Sequence, residues 1–448
     1  MYKRLLLSVI FFISIFTIDS QTVVFQKTFN FSNEDDAFDI LSLADGGLFI
    51  IGRTTGVTGV NNIMLMKLND SGEMLWKKTY GGNLNSSCRK IIPISDGNYL
   101  IGGELNDTAY ILKVSPDGDS LWSKSFPAEY SSYITDLAQT PDNDIIFTKI
   151  VELMPATSQI QKIDVAGNIL WTQESSATVY NDIKLYSDNE FYVSGYDGDG
   201  PYINPFLKKF DISGNLIFYK EFDDYNGINS SLEIVNDNIF LGGSKISNNM
   251  STSSVIKTDL EGASGIWYDL ETYAYFIMDL EIDNNGNILA CAYDFWYYNI
   301  YIAKFNQSME VSGTGNFEMP FCSNLSLAAA GEYLYLSGTV NNDDNDVLVM
   351  KINIDSLTVG TNELEVVNSY RIFPNPARDK INIALPAVTG NDDILIELWD
   401  NSGRKRDLPV LSKGLLYEIP VNNLNNGIYF LSISASGKTY TEKIVVNH

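Results

Sequence analysis

The feature that most constrains this chain is a lysine that keeps returning. It stands at Lys67, Lys113, Lys162, Lys209, Lys257, Lys304 and Lys351, so successive copies lie 46 to 49 residues apart. Each closes a short aliphatic run. At five of them a glycine follows five residues on, at Gly72, Gly118, Gly167, Gly214 and Gly262. An aromatic residue then opens the next run, at Trp76, Trp122, Trp171, Phe218 and Trp267. A fixed period in the forties, made only of strand-like segments, points to a β-propeller and away from a helical solenoid. In the first unit the pattern predicts strands at about 37–44, 48–53, 62–68 and 74–80. Asp45-Gly46 and Asp96-Gly97 supply the positive φ that a tight hairpin needs. A four-stranded sheet cannot bury both faces alone, so the units must stack around a ring.

Seven lysines give seven blades, but the seventh unit ends near Leu357 without a fourth strand. Residues 23–29 match the type of residues 75–80, so the N-terminal strand is expected to complete blade seven and close the ring. The loops fall into two sets. Those joining strands one to two and three to four are short and stereotyped. Those joining strands two to three, and one blade to the next, vary: 53–61, 154–158, 196–204, 244–251, 294–298 and 339–346. In a propeller the variable set shares one face, and variable loops on a rigid scaffold are where recognition sits.

Composition narrows the function. The formal net charge is −26 and the pI about 4.3, a surface that repels nucleic acid and anionic lipid. It suits cationic ligands, calcium, neutral glycans or simple solubility. The single histidine is His448, which argues against zinc sites and Ser-His-Asp catalysis in the body. Cys88, Cys291 and Cys322 occupy non-equivalent places in the repeat and are expected as buried, unpaired thiols. Residues 1–20 carry Lys3 and Arg4, an apolar run and a polar end, and predict a cleaved signal peptide. No other stretch holds the ~20 apolar residues of a membrane helix.

The chain thus divides into a signal at 1–20, a propeller at 21–357, a polar linker at 358–369 and a second domain at 370–448. The last shows no copy of the repeat, and its short turn-separated strands predict a small β-sandwich. Phe373-Pro374-Asn375-Pro376-Ala377 opens it. Leu398-Trp399-Asp400-Asn401-Ser402-Gly403-Arg404, Leu424-Asn425-Asn426-Gly427-Ile428-Tyr429 and Lys443-Ile444-Val445-Val446 follow in order. These four blocks resemble the type A C-terminal sorting domain of the type IX secretion system. The resemblance implies a Bacteroidetes-type exported protein. The tail would engage the secretion machinery and take the cargo through the outer membrane, to the surface or the medium. Phe373, Pro374, Asn375, Pro376, Gly403, Gly427, Tyr429 and Lys443 would carry the sorting motif.

Within the propeller the recurring lysines and aromatics belong to the scaffold, because a building block repeats and a site breaks symmetry. Asp197 and Asp199, flanked by flexible glycines, are the best candidates for a hard cation such as calcium. A second acidic stretch covers 341–346, and 281–286 imitates an EF-hand start without its closing glutamate. Trp296, Tyr297 and Tyr298, with Tyr202, form an aromatic group in the variable loops suited to stacking on sugars or anchoring a protein. Asp39, Asp136, Asp182, Glu233 and Asp279 lie near the expected channel, where a carboxylate pair is the minimum for glycosidase chemistry. The expectation is a non-catalytic binding or adhesion module. A carboxylate-based glycan hydrolase and a purely structural surface component stand as alternatives.

Overall fold

The structure is a computed structural model. It describes residues 23–357 and 371–446, except 33, 57–58, 153–154, 199–202, 223–226, 248–249, 264, 271–276, 295–297, 342–343, 374–376, 379, 385–394, 401–403, 407–408, 410, 414–415 and 436–437. The expected signal and linker lie outside the described residues. So do Asp199, Tyr202, Trp296, Tyr297, Pro374, Asn375, Pro376 and Gly403.

The chain divides into two compact units after Val359. The first holds seven four-stranded antiparallel sheets, the blades of a seven-bladed propeller. Their inner strands are Asp35–Ser42, Ser86–Pro93, Ser132–Gln139, Thr178–Ser187, Gly227–Val235, Ile277–Ile282 and Cys322–Ala330. Each following strand pairs outward in chain order. Blade 7 takes its outer strand from the other end of the unit, Val23–Phe29 pairing antiparallel with Asn345–Asn353. Phe25 and Phe29 then pack on a core shared by blades 7 and 1, with Ile40, Leu48, Val347 and Val349.

The repeated residues have repeated physical tasks. Lys67, Lys113, Lys162, Lys209 and Lys304 each reach a carboxylate of the neighbouring hairpin turn: Asp45, Asp96, Asp142, Glu190 and Asp283. Lys257 and Lys351 donate instead to the backbone carbonyls of Gln307 and Asp70. The glycine five residues after the lysine turns with positive φ. It also faces the preceding blade, since a Cβ on Gly118 would stand 2.5 Å from the Trp76 ring. Phe25 stands over Gly72 and Trp171 over Gly214 in the same manner. Blade 6 uses Met309 at this position, at φ 66°.

At an equivalent place each inner strand carries an extra residue opposite the second strand, a β-bulge, and Thr178–Ser187 carries another at Tyr186. Glycine is needed across from it where the backbones close up. A Cβ on Gly103 would lie 2.1 Å from the Ser87 carbonyl oxygen. The three cysteines are free and buried, and burial pushes the Cys322 thiol up to about 12.

The second unit packs two four-stranded sheets face to face as a small sandwich. One contains Arg371–Phe373, Lys380–Ala384, Leu411–Lys413 and Leu416–Pro420. The other contains Leu395–Asp400, Lys405–Arg406, Gly427–Ala435 and Lys438–Val446. Ile381, Ile383, Ile419, Leu398, Leu431, Ile433 and Ile444 fill the space between them. Of the motif residues, Gly427 opens a long strand and Lys443 is exposed on its partner. Tyr429 is buried and donates its hydroxyl to the Asn425 carbonyl (2.9 Å).

Candidate functional site

The seven bulges bring seven residue pairs to the axis of the ring. They are Phe38-Asp39, Arg89-Lys90, Thr135-Asp136, Asn181-Asp182, Ser230-Ser231, Met278-Asp279 and Leu325-Ser326. The first member of each pair lines a funnel-shaped cavity of about 790 Å³. Second members, all but Ser231, line the narrower floor beneath it, about 130 Å³.

The floor is a ring of hydrogen bonds from blade to blade. Asp39 Oδ2 accepts the Ile91 N–H (2.8 Å), Asp136 Oδ2 the Ile183 N–H (2.9 Å) and Asp182 Oδ2 the Leu232 N–H (2.8 Å). Ser231 Oγ accepts the Leu280 N–H (3.1 Å), and Asp279 Oδ2 the Leu327 N–H (2.8 Å). In each case the donor is the residue after the floor residue of the next blade. Ser326 Oγ closes the circle, 2.9 Å from Asp39 Oδ1 and 3.1 Å from Asp279 Oδ2. Lys90 breaks the pattern by donating backward to Asp39 Oδ1 (3.2 Å). Below it, Lys184 pairs with Glu233 at 2.8 Å.

Burial sets the electrostatics. It pushes the Asp136 carboxyl well above its ordinary value, helped by the neighbouring Asp182. Asp279 and Glu233 are raised for the same first reason. Glu281, two residues beyond Asp279, is pushed up to about 8 by burial and by Glu233. Burial works to lower the Lys90 amine, yet Asp39, Asp136 and Asp279 together hold it above its usual range.

The funnel wall is less regular. Thr135 Oγ1 donates to the Tyr180 carbonyl (2.9 Å), Asn181 Nδ2 to that of Asn229, and Ser230 Oγ to that of Ile277. Each acceptor is the residue before the bulge in the next blade. Met278 contributes its sulfur to the Leu325 N–H (3.4 Å). Phe38 has no polar group to offer. Among the described residues Arg89 hydrogen-bonds to no neighbouring blade; its guanidinium carbon stands 5.2 Å from the ring centres of both Phe38 and Tyr133. Tyr133, Glu152, Tyr196, Ser323 and Asn324 extend the wall.

The residues singled out in the sequence take different places. Asp39, Asp136, Asp182 and Asp279 meet at the floor, with Glu233 beneath. Asp197 is held by donors of the protein: Thr178 Oγ1 at 2.5 Å, Tyr219 Oη at 2.8 Å and Lys208 Nζ at 3.8 Å. Among the described residues no group of His, Cys, Asp and Glu gathers as a metal cluster; Asp199, the expected companion of Asp197, lies outside them. Asp283 caps its own turn, accepting from the Asn285 and Asn287 N–H groups. Tyr298 is exposed at a loop tip with φ 53° and lies outside the funnel lining. Sequence reasoning passed over Arg89. The signal was present, because aligning the inner strands on the x-Asp-aliphatic triplet places Arg89 in the row with Phe38 and Thr135.

Residues 371–447 match the family described as the secretion system C-terminal sorting domain. The tail is a type IX sorting domain, and the protein is exported, to the cell surface or the medium. Among the described residues no helix is long and apolar enough to cross a membrane. No curated protein sequence is significantly similar to the chain. Among solved structures it is similar to a puromycin hydrolase, with TM-score 0.51, 11% identity, 79% of this chain and 58% of that one covered. It is also similar to the Dos1 propeller, with TM-score 0.43, 11% identity, 80% of this chain and 95% of that one covered. The chain spans 58% of the hydrolase's length, and at such identity the likeness shows the propeller fold alone.

Proposed function

We propose that the exported propeller is a non-catalytic binding or adhesion module whose ligand enters the funnel. One observation carries it: three of the seven wall residues at the bulges donate to the next blade's carbonyl, whereas all seven floor residues beneath take part in side-chain hydrogen bonds of the ring. The floor carboxylates do not form a free acid–base pair, since Asp39, Asp136, Asp182 and Asp279 each hold a backbone N–H of the next blade. The tail delivers the module and takes no part in binding. A funnel of about 790 Å³ has the size of a small-ligand site. A glycan array probed with the exported protein, beside the Tyr133→Ala variant, tests the reading. Saturable binding that weakens in the variant supports it. A ligand bound equally by both places recognition elsewhere, and no binding across glycans favours a structural surface component.

One observation favours the hydrolase alternative. Asp182 Oδ1 is buried without a hydrogen-bond partner beside the raised Asp136 carboxyl. Hydrolysis of any saccharide by the exported protein, abolished in Asp136→Asn, would establish that reading over the first.

A further inference from the structure

We infer that Arg89 is the anchor of the funnel's ligand, and that the group it takes is the carboxylate of a sugar acid, a uronic-acid unit at the end of a saccharide. This assignment rests on the funnel being the binding site. The bulge position of blade 2 is where the ring gives up a scaffold contact. Thr135, Asn181 and Ser230, at the same position in blades 3, 4 and 5, each donate to the next blade. A serine or asparagine at 89 would continue that series. The arginine instead stands exposed in the cavity, its guanidinium beside the rings of Phe38 and Tyr133.

Charge accounting singles out the same residue. Arg53, Lys90 and Lys184 are the nearby cations with assigned tasks, paired with Asp36, Asp39 and Glu233. Among the described residues no carboxylate comes within salt-bridge distance of Arg89, and no hydrogen bond uses its N–H groups. Glu104 and Glu152 lie further off; burial raises the Glu104 carboxyl and Arg89 draws it back. A guanidinium beside two aromatic rings presents five donors in a rigid fork, the geometry that matches a carboxylate through two parallel hydrogen bonds.

The rest of the wall narrows the ligand. The chain carries a net charge of −26, so a polyanion is repelled at long range, whereas a single carboxylate at the tip of a neutral chain reaches the funnel. Tyr133 and Tyr196 offer ring faces, and Ser323 and Asn324 offer hydroxyl and amide groups. Apolar faces beside uncharged donors and acceptors suit a pyranose ring with its hydroxyls.

Titration calorimetry of the full exported protein with D-glucuronic acid, D-galacturonic acid and D-glucose tests the assignment, alongside Arg89→Gln and Arg89→Lys. The expected result is binding of a uronic acid over glucose. Arg89→Gln then weakens it roughly 10- to 100-fold, and Arg89→Lys less, because lysine keeps the charge and loses the fork. Unfolding temperatures of both variants stay at the wild-type value, which separates lost binding from lost fold. Equal binding of glucose and uronic acid, unaffected at position 89, overturns the carboxylate assignment and leaves the funnel as a site. Binding of a short peptide acid over its amide, dependent on Arg89 and without uronate binding, overturns the sugar. Binding of none of these overturns the assignment; a further failure of Tyr133→Ala to change glycan-array binding removes the funnel as well.

Discussion

The hairpin-turn side of the propeller and its channel use the same residue type in opposite ways. At the turns, Asp45 is held below the usual carboxylate range by the Gly47 N–H and the Lys67 amine, and Asp142 by the Thr140 hydroxyl and then Lys162. In the channel, burial raises Asp136 and Asp279. The turn pairs sit half in water, where each contributes under about 1 kcal/mol. The channel groups are enclosed, and each holds a backbone N–H that would otherwise be buried without a partner. The turns set spacing and the channel locks blade to blade. At the funnel wall, one residue before the lock, three of the seven bulge residues still donate to the next blade's carbonyl and Phe38, Arg89 and Leu325 are free of that task.

Breaking the ring's backbone should cost most. Gly103→Ala drives a methyl group into the Ser87 carbonyl 2.1 Å away, so blade 2 cannot keep its bulge. A loss of about 3 kcal/mol or more is expected in urea unfolding, if soluble protein forms at all. Asp39→Ala comes next, since it strips the Ile91 N–H and the Lys90 amine of their shared acceptor. It should cost about 2–3 kcal/mol, and Asp39→Asn less, because an acceptor remains.

Acidity sharpens the same contrast. The Glu281 carboxyl rises from 4.5 in the unfolded chain to about 8 in the folded one, so folding takes up a proton between those values. Stability is then greatest near the lower end and is lost as pH rises from about 4.5 to about 8. Thermal unfolding should occur at a higher temperature at pH 5.5 than at pH 8. Glu281→Gln should flatten the profile and stabilise the protein at pH 8 by on the order of 1–2 kcal/mol. Lys67→Ala, on the turn side, should cost under about 1 kcal/mol at any pH between 5 and 8.

Much of this was legible in the chain. The lysine, the glycine and the following aromatic are fixed in register because all three belong to one short outer hairpin, whose length hardly varies. The channel was half legible. Asp39, Asp136, Asp182 and Asp279 stood out as carboxylates, but their work as acceptors for the next blade is a contact across about 50 residues of sequence, with loops of unequal length between. Arg89 was hidden for the same reason, since its meaning comes from comparison with Thr135 and Asn181 and not from its own neighbours. The acidic loop at 196–200 stood out by composition, whereas the contacts of Asp197 with Thr178 and Tyr219 at a strand end join residues about 20 apart and are not visible in the chain. The sorting tail was fully readable, because its blocks are contiguous.

In this ring, kept symmetry marks scaffold and broken symmetry marks the proposed site. Thermal unfolding of Arg89→Asn tests it most directly. Asparagine at 89 is placed to donate to the Ile134 carbonyl as Asn181 does to that of Asn229. The account predicts an unfolding temperature equal to wild type, or higher by the worth of one hydrogen bond, about 1 kcal/mol. A fall as large as that of Asp39→Ala would show that Arg89 holds the ring together and would contradict the claim.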